Sequence, residues 1–217
     1  LSVAPHLALD GYWEIWNSMC LARNLQSGWR AIDVGANVGY FALLIARITG
    51  AEVEAWEPCE ALCPLLEQSI LMNGLSPLVT VVRQAAGAEH GRGILVRKDR
   101  DYGSARIAER SLLPNQEEVG VWPLDDTSLE RVDFVKLDAE GKEDEIWGGM
   151  QKIVTSGELK AALIEWSPKK YEDPGGFLKS IEEQRFRVSV VDGAGGLQKP
   201  VGDITRIDGH LDLWIQR

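Results

Sequence analysis

Two glycines four residues apart carry the strongest chemical signal in this chain, Asp33-Val34-Gly35-Ala36-Asn37-Val38-Gly39. The stretch follows a short apolar run and precedes a helical pattern, so it reads as a strand-to-helix turn. Gly35 and Gly39 let the backbone turn sharply and a ligand approach closely, while the helix start offers free N–H groups. Glu57, 18 residues beyond Gly39, ends the next apolar run, where a carboxylate accepts hydrogen bonds from both hydroxyls of a ribose. Together these features indicate an adenosine-containing ligand, NAD or S-adenosylmethionine. The G-x-x-x-G spacing departs from the G-x-G-x-x-G that pyrophosphate contact favours, so a ligand without phosphates fits better.

Three more carboxylates close two later apolar runs. Residues 132–138 lead into Asp138-Ala139-Glu140-Gly141-Lys142, and a further run ends in Glu165-Trp166-Ser167-Pro168. Side chains alternate along a strand, so Lys136 and Asp138 point the same way. Burying them is costly unless they pair structurally or serve a reaction. Asp138, Glu140 and Glu165 have the chemistry of an oxygen-rich Mg²⁺ site or of a general base; the residues alone do not choose, and no other feature indicates a metal. His6, His90 and His210 fall away from these strand ends, so a histidine base requires His6 or His90 to fold over them. The C-x-x-x-C pair Cys59 and Cys63 reads as two small apolar residues on a buried helix face. The charges from Glu140 to Glu145 read as a solvated first helical turn.

The elements that must position these groups alternate. Strands are predicted at 30–34, 52–56, 78–82, 132–138, 161–165, 186–191 and 211–215, with helices at 40–48, 60–72, 143–154 and 175–184. Strand–helix–strand order implies parallel pairing, and an α/β fold with helices on both faces of one sheet. Residues 1–28 read as an N-terminal helical cap and 91–124 as inserted strands and loops, all within a single domain spanning 1–217. Trp29, Trp56, Trp147 and Trp214 are expected in the core; Trp13, Trp122 and Trp166 belong to the cap, the insertion and a crevice edge.

Acidic residues outnumber basic ones 33 to 23, giving a net charge of −10 and a pI near 4.9, which disfavours a nucleic-acid partner. No apolar stretch approaches the roughly 18–20 residues of a membrane-spanning helix, so a membrane partner is not expected and a cytoplasmic location is. Three cysteines are too few for a disulfide scaffold. Oligomeric state is not encoded in any feature of the sequence.

The chain resembles the FkbM-type family of S-adenosylmethionine-dependent methyltransferases through Asp10-Gly11-Tyr12-Trp13-Glu14, residues 32–40, Glu57-Pro58 and residues 132–141. The resemblance implies a Rossmann-like seven-stranded sheet, mostly parallel with an antiparallel last strand. It implies that Asp33, Gly35, Asn37 and Gly39 hold the methionine part of the cofactor, that Glu57 with Pro58 binds the ribose, and that Gln84, Ala85 and Ala86 line the adenine. Asp138 and Glu140, with Lys136 beside them, then face the sulfonium. Family members usually O-methylate hydroxyls of sugars, oligosaccharides or polyketide-type metabolites, so a small-molecule hydroxyl is the expected acceptor. An alkyl hydroxyl needs a base within reach, and Asp138 is the candidate. The Tyr12–Glu14 segment and Asp101–Arg106 are candidates for closing the site. The competing readings are a binding module without turnover, a nucleic-acid methyltransferase and an NAD oxidoreductase.

Overall fold

A computed structural model describes residues 3–96, 106–108, 116–200 and 202–217. Two N-terminal helices, α1 (Val3–Asp10) and α2 (Ile15–Asn24), precede the alternating core. That core runs β1 (Ala31–Val34), α3 (Tyr40–Thr49), β2 (Val53–Trp56), α4 (Cys63–Met72) and β3 (Val79–Val82). Four short strands follow: β4 (Ala85–Ala86), β5 (Gly91–Val96), β6 (Arg106–Ala108) and β7 (Gln116–Trp122). The chain then returns through β8 (Phe134–Leu137), α5 (Glu143–Gly148), α6 (Gln151–Thr155), β9 (Ala161–Trp166) and α7 (Pro174–Glu183). It ends with β10 (Arg187–Val191), β11 (Leu197–Gln198) and β12 (Leu211–Gln216).

The main sheet has the order β11-β10-β12-β9-β8-β1-β2-β3. Pairing is parallel from β9 through β8, β1 and β2 to β3, and β12 runs antiparallel between β9 and β10. The sheet therefore has eight strands where seven were expected. The extra strand, β11, is a two-residue antiparallel return on the edge of β10, too short and too polar to announce itself in the sequence. The helix expected over 143–154 breaks into α5 and α6 at Gly148-Gly149, where two successive glycines remove the propensity to continue.

The strand alternation sends side chains to two separate cores. Ile32, Val34, Val135, Leu137, Ile164 and Trp166 pack under α5, α6 and α7, while Ala31, Phe134, Leu163 and Trp214 pack under α2, α3 and α4. Phe134 and Trp214 stack with centroids 5.6 Å apart, a geometry worth about 0.5–1.5 kcal/mol beyond burial. Trp166 is fully buried against Tyr171 and Phe177, which corrects its placement at a crevice edge. Since Glu165 faces one side of β9, the next residue must face the other.

The insertion folds as a second sheet of order β4-β7-β5-β6 and begins at Ala85, earlier than expected. Cys59, Leu62, Ala85, Leu95 and Val119 form a small core that joins it to the domain. Buried Glu54 in β2 also fastens the returning chain: it accepts hydrogen bonds from Ser128 N at 2.8 Å, Ser128 Oγ at 2.6 Å and Thr127 Oγ1 at 2.9 Å. Among the described residues no helix is long and apolar enough to cross a membrane.

Candidate functional site

The C-terminal ends of β1, β2, β8 and β9 meet at one edge of the sheet, where open α/β sheets bind ligands. The turn after β1 fits there for lack of side chains. Gly35 has φ +76°, and a Cβ on it would fall on the carbonyl oxygen of Asp138, so the first turn and the end of β8 touch backbone to backbone. Gly39 caps α3 at φ +95°, where a Cβ would lie 2.6 Å from Leu66 Cδ1. Between them Asn37 is left-handed at φ +52° and donates its backbone N–H to Glu57 Oε2 at 2.8 Å. Glu57 Oε1 accepts from Cys59 N at 2.9 Å. The carboxylate therefore shapes the turn, yet each oxygen keeps a lone pair for a ligand hydroxyl. Burial pushes its pKa up to about 7.

Lys136 stands at the centre of the edge. It is 3% exposed, lies 2.9 Å from Asp138 Oδ2 and 4.0 Å from Asp33 Oδ1, and sits over the Phe41 ring at 4.7 Å. Burial alone would lower its pKa, but the combined pull of Asp138, Asp33 and Glu14 outweighs burial and keeps the lysine charged. Asp33 is buried beneath it, its carboxylate oxygens without a well-formed hydrogen bond among the described residues, and desolvation lifts its pKa to about 6.

The loop after β8 is clamped from below. Glu143 accepts from Ala139 N at 2.8 Å, Gly141 N at 3.2 Å and Tyr171 Oη at 2.9 Å. It is fully buried, a correction to the solvated turn expected there. The clamp holds Glu140 in a left-handed conformation, φ +55°, with its carboxylate 2.6 Å from Lys170 Nζ. Glu165 differs from these neighbours: its side chain makes no hydrogen bond or ion pair among the described residues. Burial, then the charges of Asp138 and Glu140, lift its pKa to about 8.

These partners bear on the Mg²⁺ reading. Asp138 and Glu140 are each engaged by a lysine, and among the described residues no group of three or more His, Cys, Asp or Glu side chains could hold a metal ion. The Asp138, Glu140 and Glu165 set is therefore not arranged as a metal site. Cys63 donates its thiol to the Glu57 carbonyl at 3.3 Å, and desolvation lifts that thiol to about 11, away from thiolate chemistry.

Two adjoining clefts open on this edge. The first, about 320 Å³, is lined by Gly35, Asn37, Glu57 and Pro58 on one side, by Gln84, Ala85 and Ala86 on another, and by Lys136, Asp138 and Glu140 across from them. Asp33 and Gly39 do not line it; one lies under Lys136 and the other caps α3. Leu95 and Ile107 of the second sheet complete the lining. The second cleft, about 420 Å³, lies between the sheet edge and α1–α2, under Tyr12, Trp13 and Trp16. Glu14, Lys136, Asp138, Glu165 and His210 line both clefts.

His210 was missed by the sequence reading. It precedes antiparallel β12, whose start pairs with the end of β9 at Leu211↔Trp166, so the first residues of this strand arrive where the parallel strands finish. His6 does fold toward the second cleft, its ring 5.0 Å from that of Trp13, whereas His90 packs on Trp122, outside both clefts. Of the 101–106 segment, residues 101–105 lie outside the described residues.

The chain is similar to the crystal structure of methyltransferase FkbM from Methylobacillus flagellatus KT, with a TM-score of 0.61 and 14% identity over 88% of this chain and 44% of that one. It thus spans under half the length of that relative. It is also similar to an O-methyltransferase from Bacillus cereus in complex with SAH, with a TM-score of 0.54 and 12% identity over 99% of this chain and 86% of that one. A putative rRNA-methylase from Clostridium thermocellum is similar at a TM-score of 0.56 and 11% identity, covering 92% of each chain. Likenesses at this identity show the fold alone. No curated protein matches the sequence. The family model for the methyltransferase FkbM domain matches residues 33–188, a span that runs from the first strand of the cleft through its last parallel strand; the chain belongs to the FkbM methyltransferase family.

Proposed function

We propose that the protein is an S-adenosylmethionine-dependent O-methyltransferase that holds the cofactor in the first cleft and a small-molecule hydroxyl in the second. The observation that carries this reading is the shared wall: five polar residues line both clefts, so a group bound in one meets a group bound in the other. The first cleft fits the cofactor. It has a side-chain-free approach at Gly35, open lone pairs on Glu57 for a ribose, and Gln84 to Ala86 along the side where an adenine would lie. When bound, S-adenosylmethionine supplies a methyl group activated by an adjacent sulfonium.

The residues of the wall then divide the remaining work. Lys136 holds Asp138 in place at 2.9 Å and so occupies one of its carboxylate oxygens. Glu165 has no such partner and is raised to about 8, near the operating pH that suits a general base. We assign the acceptor's hydroxyl proton to Glu165 and the orientation of the reacting groups to Asp138. Trp13 and Glu14 line both clefts at the junction, and alignment of the reacting groups there supplies most of the rate.

Calorimetric titration with S-adenosylhomocysteine, with NAD as the control ligand, tests the cofactor. Micromolar binding of the first alone, about 8 kcal/mol, is the expected result. Binding of NAD in its place would overturn the reading.

A further inference from the structure

The second cleft has an unusual balance of polar groups. Besides Asp138 and Glu165 of the shared wall, it is lined by Asp10, Glu14 and Asp212, and the lysine present, Lys136, is already taken by Asp138 and Asp33. His6 is engaged with Asp10 at 3.3 Å. Asn17, 2% exposed, also lines this cleft. Its Nδ2 donates to Glu14 Oε2 at 2.9 Å; a carboxylate only accepts, so the orientation of the amide is fixed. The Asn17 Oδ1 is left buried with no partner among the described residues. The cleft thus gathers five carboxylates, Asp10, Glu14, Asp138, Glu165 and Asp212, around one paired lysine, with His210, the Tyr12 hydroxyl and the Trp13 and Trp16 indole N–H groups as its other donors.

Its roof is aromatic. Tyr12 and Trp16 remain 42% and 48% exposed on either side of Trp13, where ring faces suit both the C–H surface of a saturated ring and a cation. Burial first, with a smaller contribution from the Asp138 charge, raises the pKa of Glu14, Glu165 and Asp212, while Lys136 pulls those of Glu14 and Asp212 the other way. A cation in the cleft would relieve that repulsion, whereas an anionic ligand would add to it.

We propose that the acceptor cleft selects a small molecule carrying a protonated amine beside its hydroxyls, an amino-polyol, with Asp10 and Asp212 as the residues that set this preference. The proposal rests on the methyltransferase reading, in that it takes the second cleft as the acceptor site. It is tested by calorimetry on the protein saturated with S-adenosylhomocysteine, using three probes that share one ring: D-glucosamine in its protonated form, neutral N-acetyl-D-glucosamine and anionic D-glucuronate. D-Glucosamine is expected to bind about tenfold more tightly than the neutral probe and D-glucuronate not at all. Asp10→Asn and Asp212→Asn should each shrink the difference while leaving S-adenosylhomocysteine binding in place; Asp10 is exposed, so that variant folds even where the one at partly buried Asp212 fails. D-Glucuronate binding as tightly as D-glucosamine, no binding of D-glucosamine, or an unchanged preference in the folded variants would overturn the proposal. Failure of S-adenosylhomocysteine to bind would overturn the cofactor reading instead, and the same three titrations without it would still decide the preference.

Discussion

Glu165 and Asp138 face the same junction from neighbouring strands, and their different partners assign them different work. Asp138 holds Lys136, and Lys136 in turn covers the buried carboxylate of Asp33, so neutralising Asp138 would loosen a buried charge cluster as well as the site. The Glu165 side chain makes no hydrogen bond or ion pair among the described residues, so Glu165→Gln removes a titrating group and little packing. This variant should lose about 100-fold in kcat with a small change in KM, measured by S-adenosylhomocysteine release once an acceptor is in hand. Because the base works deprotonated and its pKa is lifted to about 8, kcat/KM of the parent protein should climb with pH and level off above that value. A profile unchanged by Glu165→Gln would return the base role to Asp138 or His210. Glu57→Ala should act earlier, at cofactor binding, because it strips both the ribose acceptor and the two backbone hydrogen bonds that shape the turn; calorimetry would then show S-adenosylhomocysteine affinity falling at least tenfold, at least about 1.4 kcal/mol.

At the scale of elements, the site depends on strand ends brought to one edge and on a turn with no side chain in the way. Gly35→Ala forces a Cβ into the Asp138 carbonyl and a left-handed backbone on alanine, which should cost about 1–3 kcal/mol from the backbone alone. Chemical denaturation should show the loss, and S-adenosylhomocysteine binding should fall with it; unchanged stability would mean the two backbones do not touch. This element logic also explains what could be read beforehand. The glycine turn, Glu57, Asp138, Glu140 and Glu165 were legible because parallel strands all finish on the same side. His210 was not, since strand direction is invisible in periodicity and only antiparallel pairing brings the start of β12 to the site. Glu143 was misplaced because its burial depends on Tyr171, 28 residues away, and β11 because a two-residue strand has no period. Trp166 was misread although the alternation with Glu165 contained the answer.

The whole molecule carries several carboxylates that the fold makes harder to ionise. Asp33, Glu57 and Glu165 are lifted to about 6, 7 and 8, and desolvation is the leading cause in each. In the unfolded chain all three lose their protons near the ordinary carboxylate range. Between that range and pH 8 the folded protein therefore holds more protons than the unfolded one, and linkage makes stability fall as pH rises, by at most about 1.4 kcal/mol per pH unit for each group. Above pH 8 both states are ionised and the loss stops growing. The carboxylates with lowered pKa, such as Asp192 and Asp203, finish titrating below this window and do not oppose the trend. The melting temperature of the ligand-free protein should accordingly decline from pH 5.5 to 8 and then flatten, with a shallower decline in Glu165→Gln. A melting temperature that rises across this interval would show that the three groups are ionised in the folded state already, and would remove the raised pKa from the argument for Glu165 as base.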